Sequence, residues 1–343
     1  MSDGVAKGAG KPPEGPQAPP GKMFRYRLEA LGFFALIGFF RLFGPDRASN
    51  IGGFIGRKIG PLTGMARRAV RNLDAAYPGM NSEARKAILT EMWDNLGRVL
   101  AEYAHLDAMH TTGPNPRLEI AGEQYAREAY AAGKGVIMVS GHFANWEVMP
   151  FALKDGGGEG GTMVRPANNP IVNRWLENAR ARNGLSEMIP KGEQAAWATV
   201  GLLRKGKIVC MLIDQRASEG ILVPFFGRDA QTTPAPAALA LKMGCAVLPA
   251  WNERIGPARF RLSVYPALAF EKTGELKHDI EAYTAALTRF IEERVRERPG
   301  QWLWIHKRWV EGAVLRKRAQ DQTKDQVLPA SRGGTSSATS NRV

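Results

Sequence analysis

The sequence predicts an α/β fold: a mixed, largely parallel central sheet flanked by helices, preceded by an N-terminal helical region with the marks of a membrane anchor. Three observations carry this reading. After residue 112, short apolar runs bounded by turn residues alternate with longer stretches of helical periodicity, the pattern of strands joined by crossover helices. The ends of three of these runs carry charged or titratable side chains, at the sheet edge where open α/β sheets gather ligands. Near the amino terminus, LEALGFFALIGFFRLF (28–43) is set among arginines and lysines.

In chain order, residues 1–21 are rich in Gly, Pro and Ala and hold too few large apolar side chains to bury, so they read as a disordered tail. Residues 22–48 form the expected anchor. The apolar stretch is shorter than the roughly 20 residues a spanning helix needs and is interrupted by Glu29 and Arg41. Lys22, Arg25 and Arg27 precede it, and Arg47, Lys58, Arg67 and Arg68 follow, which suits a helix lying in the plane of an anionic membrane surface. A signal peptide is excluded because no small-x-small cleavage site follows the run. A buried core helix remains the competing interpretation.

Residues 49–318 are assigned to the α/β domain. It opens with helices, among them a long one after Ser82 with apolar positions three and four apart. Strands are expected at 135–140, 162–165, 208–213, 246–251 and 259–265. Helices are expected near 122–132, 170–183, 193–205, 234–243 and 279–298. The Gly-rich DGGGEGG (155–161) reads as a flexible turn, since no Gly-Lys-Ser/Thr follows to make a phosphate loop. Residues 319–343 read as a second disordered tail.

The chain has 343 residues, 47 Lys+Arg and 33 Asp+Glu, a net charge of +14. Such an excess calls for a polyanionic partner: nucleic acid, an anionic membrane, a phosphorylated substrate or an acidic carrier protein. Cys210 and Cys245 both lie in apolar runs and read as buried thiols.

The chemistry concentrates at the strand exits. His142, Asn145 and Glu147 follow the first strand, Arg165 the second, and Asp214, Gln215 and Arg216 the third. No His-Glu-x-x-His zinc helix, no Gly-x-Ser-x-Gly elbow at Ser140 and no nearby cysteine surround His142, which leaves a metal-free base with no cofactor. A histidine base needs a carboxylate on its second ring nitrogen, and Glu147 is the nearest candidate. Positions five apart on a regular helix stand about 140° apart, so the pair meets only through an irregular turn. Asp214 fits either a catalytic role or a structural hydrogen bond at a strand end.

GHFANWE (141–147) resembles the His-x4-Glu motif of the bacterial lipid A late acyltransferases, relatives of the glycerolipid acyltransferases. The resemblance continues through VRPANNP (164–170), Asp214-Gln215, VPFFGRDAQTTPAPAALA (223–240) and QWLWIHKRW (301–309), and so spans residues 24–316. It implies that His142 is a general base partnered by Glu147. The base would take a proton from the hydroxyl of a lipid A precursor as that oxygen attacks an acyl thioester on acyl carrier protein, with no covalent intermediate.

Arg165 matches the family's Arg-Pro and would stabilise the oxyanion or bind a phosphate. Asn145, Asp214, Gln215, Arg216, Phe225, Phe226 and Thr233 are the implied substrate contacts, although the two phenylalanines fit core packing equally well. His306 reads as structural, and Trp302, Trp304 and Trp309 either contact the interface or cover the sheet. The implied location is the cytoplasmic face of a bacterial inner membrane, whose anionic surface, with the acidic carrier and phosphorylated acceptor, would account for the charge without nucleic acid. The same base chemistry serves other lipid acceptors: a lysophospholipid, an ornithine lipid or a phosphatidylinositol mannoside. A non-catalytic protein that binds anionic membranes or nucleic acid is the alternative from another class. It would explain the charge but not the strand-end residues.

Overall fold

The computed structural model describes residues 20–190 and 192–309. The expected tails at 1–21 and 319–343 lie outside these residues except for Pro20 and Gly21, which belong to the first helix. Four helices come first: α1 (Pro20–Arg41), α2 (Pro45–Ile59), α3 (Ala66–Ala76) and α4 (Ser82–Glu102). The stretch expected as one anchor is thus two helices. Pro45 starts α2 after a turn at residues 42–44, because proline suits a first helical turn and not a helix interior. Asn81, one residue before the expected Ser82, caps α4 by accepting from the Ala84 amide at 2.8 Å.

The α/β part follows: β1 (Leu118–Ala121), α5 (Glu123–Ala131), β2 (Val136–Ser140), α6 (Val148–Asp155), β3 (Gly160–Val164), α7 (Pro170–Asn183), β4 (Glu187–Pro190), α8 (Glu193–Arg204), β5 (Ile208–Leu212), β6 (Ile221–Phe225), β7 (Arg228–Thr232), α9 (Ala235–Met243), β8 (Ala246–Gly256), β9 (Arg259–Val264) and α10 (Leu276–Glu297). Seven strands make one sheet in the order β1-β9-β8-β2-β5-β3-β4. All its pairings are parallel except β8 with β9. A mixed, largely parallel sheet is therefore what the alternating pattern produced.

β2 lies at the centre, and all five of its residues are buried, as a strand covered on both faces requires. Each face packs its own cluster. Ile137, Val139 and Val209 join Trp302 and Trp304 on one side, while Val136, Met138 and Cys210 join Phe151 and Phe260 on the other. Both cysteines are free and buried, as expected.

One local reading is corrected. Gly160 and Gly161 are strand residues, not a flexible turn. A Cβ on Gly160 would sit 1.8 Å from the Ile208 carbonyl oxygen, so the glycine is what lets β3 close on β5. The stretch at 223–240 is mostly a separate antiparallel hairpin, β6 with β7, followed by α9. Its turn, Phe226-Gly227, has φ of 52° and 68°, the paired positive values of a tight two-residue hairpin.

Candidate active site

Strand order assembles the site. β5 lies between β2 and β3, and all three are parallel, so the segments leaving them emerge at one edge of the sheet. Ser140 pairs with Leu212 at the ends of β2 and β5, which puts His142 and Asp214, each two residues further on, side by side. Gly141 permits the approach: a Cβ there would lie 3.1 Å from Asp214 Oδ2.

Asp214 is the carboxylate that holds His142. Nδ1 of His142 donates to its Oδ1 at 2.7 Å, and the His142 backbone amide donates to Oδ2 at 2.7 Å. Trp302 Nε1 donates to the same Oδ2 at 2.8 Å. Burial alone would raise the Asp214 carboxyl. The charge and hydrogen bonds of His142 outweigh it and hold the group well below the usual carboxylate range. An ionised carboxylate only accepts, so the proton of a neutral His142 sits on Nδ1 and its Nε2 is left as the basic atom.

The expected pairing of Glu147 with His142 is corrected. Glu147 turns away from the imidazole, accepting from Arg180 Nε and Nη2 at 2.7 Å each and from the Tyr103 hydroxyl at 2.7 Å. Its carboxyl is buried, which alone would raise it, but the Arg180 charge and these hydrogen bonds lower it. Burial alone would lower Arg180, but the charge and hydrogen bonds of Glu147 and Tyr103 together outweigh it and raise the group. Burial, reinforced by Glu147, pushes the Tyr103 hydroxyl well up. The physical reason for the different partner is the loop 141–147. Ala144 at its middle has φ 44°, donates its amide to the Gln301 carbonyl at 2.8 Å and accepts from Asn95 Nδ2 at 3.0 Å. This irregular turn sends the side chains of residues 142 and 147 to different partners.

A cavity of about 260 Å³ opens beside His142. Trp146, Glu147, Thr162, Arg165, Arg180, Gln215 and His306 supply its polar and aromatic lining, and Met149, Pro150, Met163, Val164, Cys210 and Leu212 the rest. Arg165, exposed at the end of β3, lines the same cavity as His142. Gln215 Nε2 lies 3.0 Å from His142 Nε2 and 3.0 Å from His306 Nε2. His306, read from sequence as structural, faces His142 with ring centroids 4.8 Å apart. Cys210 borders the cavity, but burial pushes its thiol far up, so it is not a thiolate nucleophile.

The other implied substrate contacts are placed elsewhere. Asn145 is fully buried and donates to Glu102 at 3.0 Å, bracing the loop rather than facing the cavity. Phe225 and Phe226 are core residues: Phe225 packs against Trp302 and Trp309, and Phe226 against Tyr77 and Trp304. Thr233 Oγ1 accepts from the Ala235 amide at the start of α9. Arg216 is exposed and donates to Gln231 at 3.3 Å. Trp302, Trp304 and Trp309 are buried, so they cover the sheet.

Sequence reasoning missed Arg180, Tyr103 and the place of His306. The available signal was in QWLWIHKRW, whose Trp302 and His306 both belong to the site. Arg180 is one of several arginines on its helix and carried none. A larger cavity of about 400 Å³, lined by Ile37, Arg41, Tyr103, Trp175 and Arg182 among others, does not include His142.

The profile of the bacterial lipid A biosynthesis acyltransferases matches residues 18–311 of the chain. The lipid A biosynthesis lauroyltransferase of Escherichia coli (strain K12) is 26% identical over 259 residues, 71% of this chain and 80% of that protein. The lipid A biosynthesis palmitoleoyltransferase of the same organism is 26% identical over 275 residues, 75% and 84%. A phosphatidylinositol mannoside acyltransferase of Mycobacterium tuberculosis (strain CDC 1551 / Oshkosh) is 26% identical over 235 residues, 66% and 72%.

Proposed function

From the premise that the chain belongs to the bacterial lipid A biosynthesis acyltransferase family and is an acyltransferase acting on lipid acceptors, we propose that it moves a fatty acyl group from a thioester on acyl carrier protein to a hydroxyl of a lipid A precursor. The observation that carries this reading is His142, with Nδ1 held by a buried carboxylate and Nε2 turned toward a cavity that also holds two guanidiniums. His142 Nε2 takes the hydroxyl proton as the oxygen bonds to the thioester carbonyl carbon. Arg165 faces the charge that develops on the carbonyl oxygen, or a phosphate of either substrate. The tetrahedral species then expels the thiolate, which recovers the proton from His142, giving an ester and a free thiol. The transfer is direct: the cysteine that borders the cavity is held as a thiol.

A membrane surface is the proposed place of work, the cytoplasmic face of a bacterial inner membrane. Among the described residues no helix is long and apolar enough to cross a membrane. Support for in-plane binding comes from exposed Leu28, Leu31, Phe34 and Leu42 on and just after α1, and Phe54, Ile59 and Leu62 on and after α2. The two helices and α4 border one apolar groove of about 180 Å³, lined by Leu36, Ile55, Ile59, Met65 and Leu100 among others. Exposed Arg25, Arg27, Arg57 and Lys58 lie on the same helices, and exposed Arg67 at the start of α3. A phosphatidylinositol mannoside is the second acceptor to test, because an acyltransferase for that glycolipid shares the same 26% identity with this chain, over a somewhat shorter stretch.

The test is transfer by the purified full-length protein, with acyl carrier protein and coenzyme A thioesters offered against both acceptors. His142→Ala should slow it by about 10²–10⁴-fold. Wild-type rates in that variant would rule out His142 as the base. Removing residues 1–44 should cut sedimentation with anionic vesicles, and salt should partly release the full-length protein. Recovery of both forms in the supernatant at every salt concentration would rule out the membrane face.

A further inference from the structure

Gln215 follows Asp214 where the chain leaves β5, and its amide nitrogen stands 3.0 Å from Nε2 of each of two histidines, His142 and His306. With Nδ1 of His142 donating to Asp214, the neutral ring can only accept at Nε2. A carboxamide has two hydrogens on one nitrogen, so a single side chain can donate to both imidazoles at once. Protonation of one imidazole changes the match. An N–H then meets an N–H, and the amide must turn its oxygen toward the imidazolium, leaving the other ring facing the wrong group.

We propose that Gln215 is a positioning residue that couples the protonation of His142 to that of His306 and keeps the base unprotonated between turnovers. The inference rests on the reading of His142 as the general base. Gln215 donates to Nε2 until the acceptor hydroxyl arrives, then yields that position while remaining hydrogen-bonded to His306. The hydroxyl therefore meets a lone pair already aimed at the cavity. The other charged groups around His142 are Asp214 on its Nδ1 and, lining the same cavity, Glu147, Arg165 and Arg180. The neutral amide acts on the base through hydrogen-bond direction.

The experiment is the pH profile of kcat/KM for the full-length protein with an acyl thioester and a lipid acceptor, compared among wild type, Gln215→Glu and Gln215→Met. In Gln215→Glu a carboxylate accepts from a protonated Nε2, and the acid limb should move up by about one pH unit or more. In Gln215→Met the shape is kept without the donor, and the limb should move up by less, with kcat a few-fold to about tenfold lower. An unmoved acid limb in both variants, with or without a uniform loss of rate, would overturn the proposal.

A second measurement does not depend on turnover. Nitrogen chemical shifts of the two rings in histidine-labelled protein should titrate interdependently in wild type and separately in Gln215→Met. Independent titration in wild type would overturn the coupling even if His142 is the base. Full activity of His142→Ala would instead remove the general-base reading while leaving the coupling open to the shift measurement alone.

Discussion

Two buried carboxylates each hold a side chain that lines the same cavity, and they do different work. Asp214 faces an imidazole, receives three hydrogen bonds from His142 and Trp302, and orients the proposed base. Glu147, five residues from that base in sequence, faces a guanidinium and a phenol and closes a buried ion pair between the active-site loop, α7 and Tyr103. The difference is one of partner rather than of burial, since both side chains are almost fully enclosed. A carboxylate beside a histidine sets tautomer and stabilises the transient imidazolium. One beside an arginine fixes the position of a cation that lines the cavity.

The comparison is broken most sharply by exchanging each carboxylate for its amide. Asp214→Asn should lower the rate by roughly 10³–10⁴-fold with little loss of fold, because an amide that donates to Nδ1 forces the wrong tautomer on His142. Purified transfer assays with circular dichroism would check both halves of that expectation. Glu147→Gln leaves the buried Arg180 without its counter-charge, and the unfolding free energy should fall by about 3–5 kcal/mol in denaturant titrations. The smallest of the three effects belongs to Tyr103→Phe, which removes one hydrogen bond to a charged group and should cost about 1.5–3 kcal/mol in the same titration. A Glu147→Gln protein as stable as wild type but as slow as Asp214→Asn would reverse the two assignments.

Acidity sharpens the same contrast. Both carboxyls are lowered in the folded protein, so each contributes stability that is full above its unfolded value of about 4 and is lost as the pH falls through the folded value. The stability gap between wild type and Glu147→Gln should therefore narrow as the pH drops below about 4. Denaturant midpoints measured from pH 7 to pH 3 give the answer; a constant gap would mean that Glu147 is not ionised in the fold.

Much of this architecture was legible in the chain. VIMVS, IVCML and the start of β8 are continuous apolar runs, and the helices between them carry their periodicity openly. β1 and β4 were not, because at four residues each they are too short to show a period. The hairpin of β6 and β7 hid behind Phe226, a bulky residue at positive φ where sequence logic expects Gly or Asn. In the site, the positions of His142 and Arg165 at strand ends could be read directly. The partner of His142 could not: Asp214 reaches it only because β5 pairs with β2, a fact of strand order that spacing along the chain does not encode. Proximity in sequence favoured Glu147, and the irregular turn around Ala144 is what defeats it.

In the proposed mechanism His142 and Asp214 act as one unit, to which Glu147 does not belong. A double-mutant cycle in kcat/KM, with His142→Ala, Asp214→Asn and the pair combined, tests that claim most directly. The double variant should be about as slow as His142→Ala alone, since an orienting carboxylate has nothing left to orient. Losses that multiply, with the double variant slower by the full product of the single effects, would contradict the account and separate Asp214 from the base.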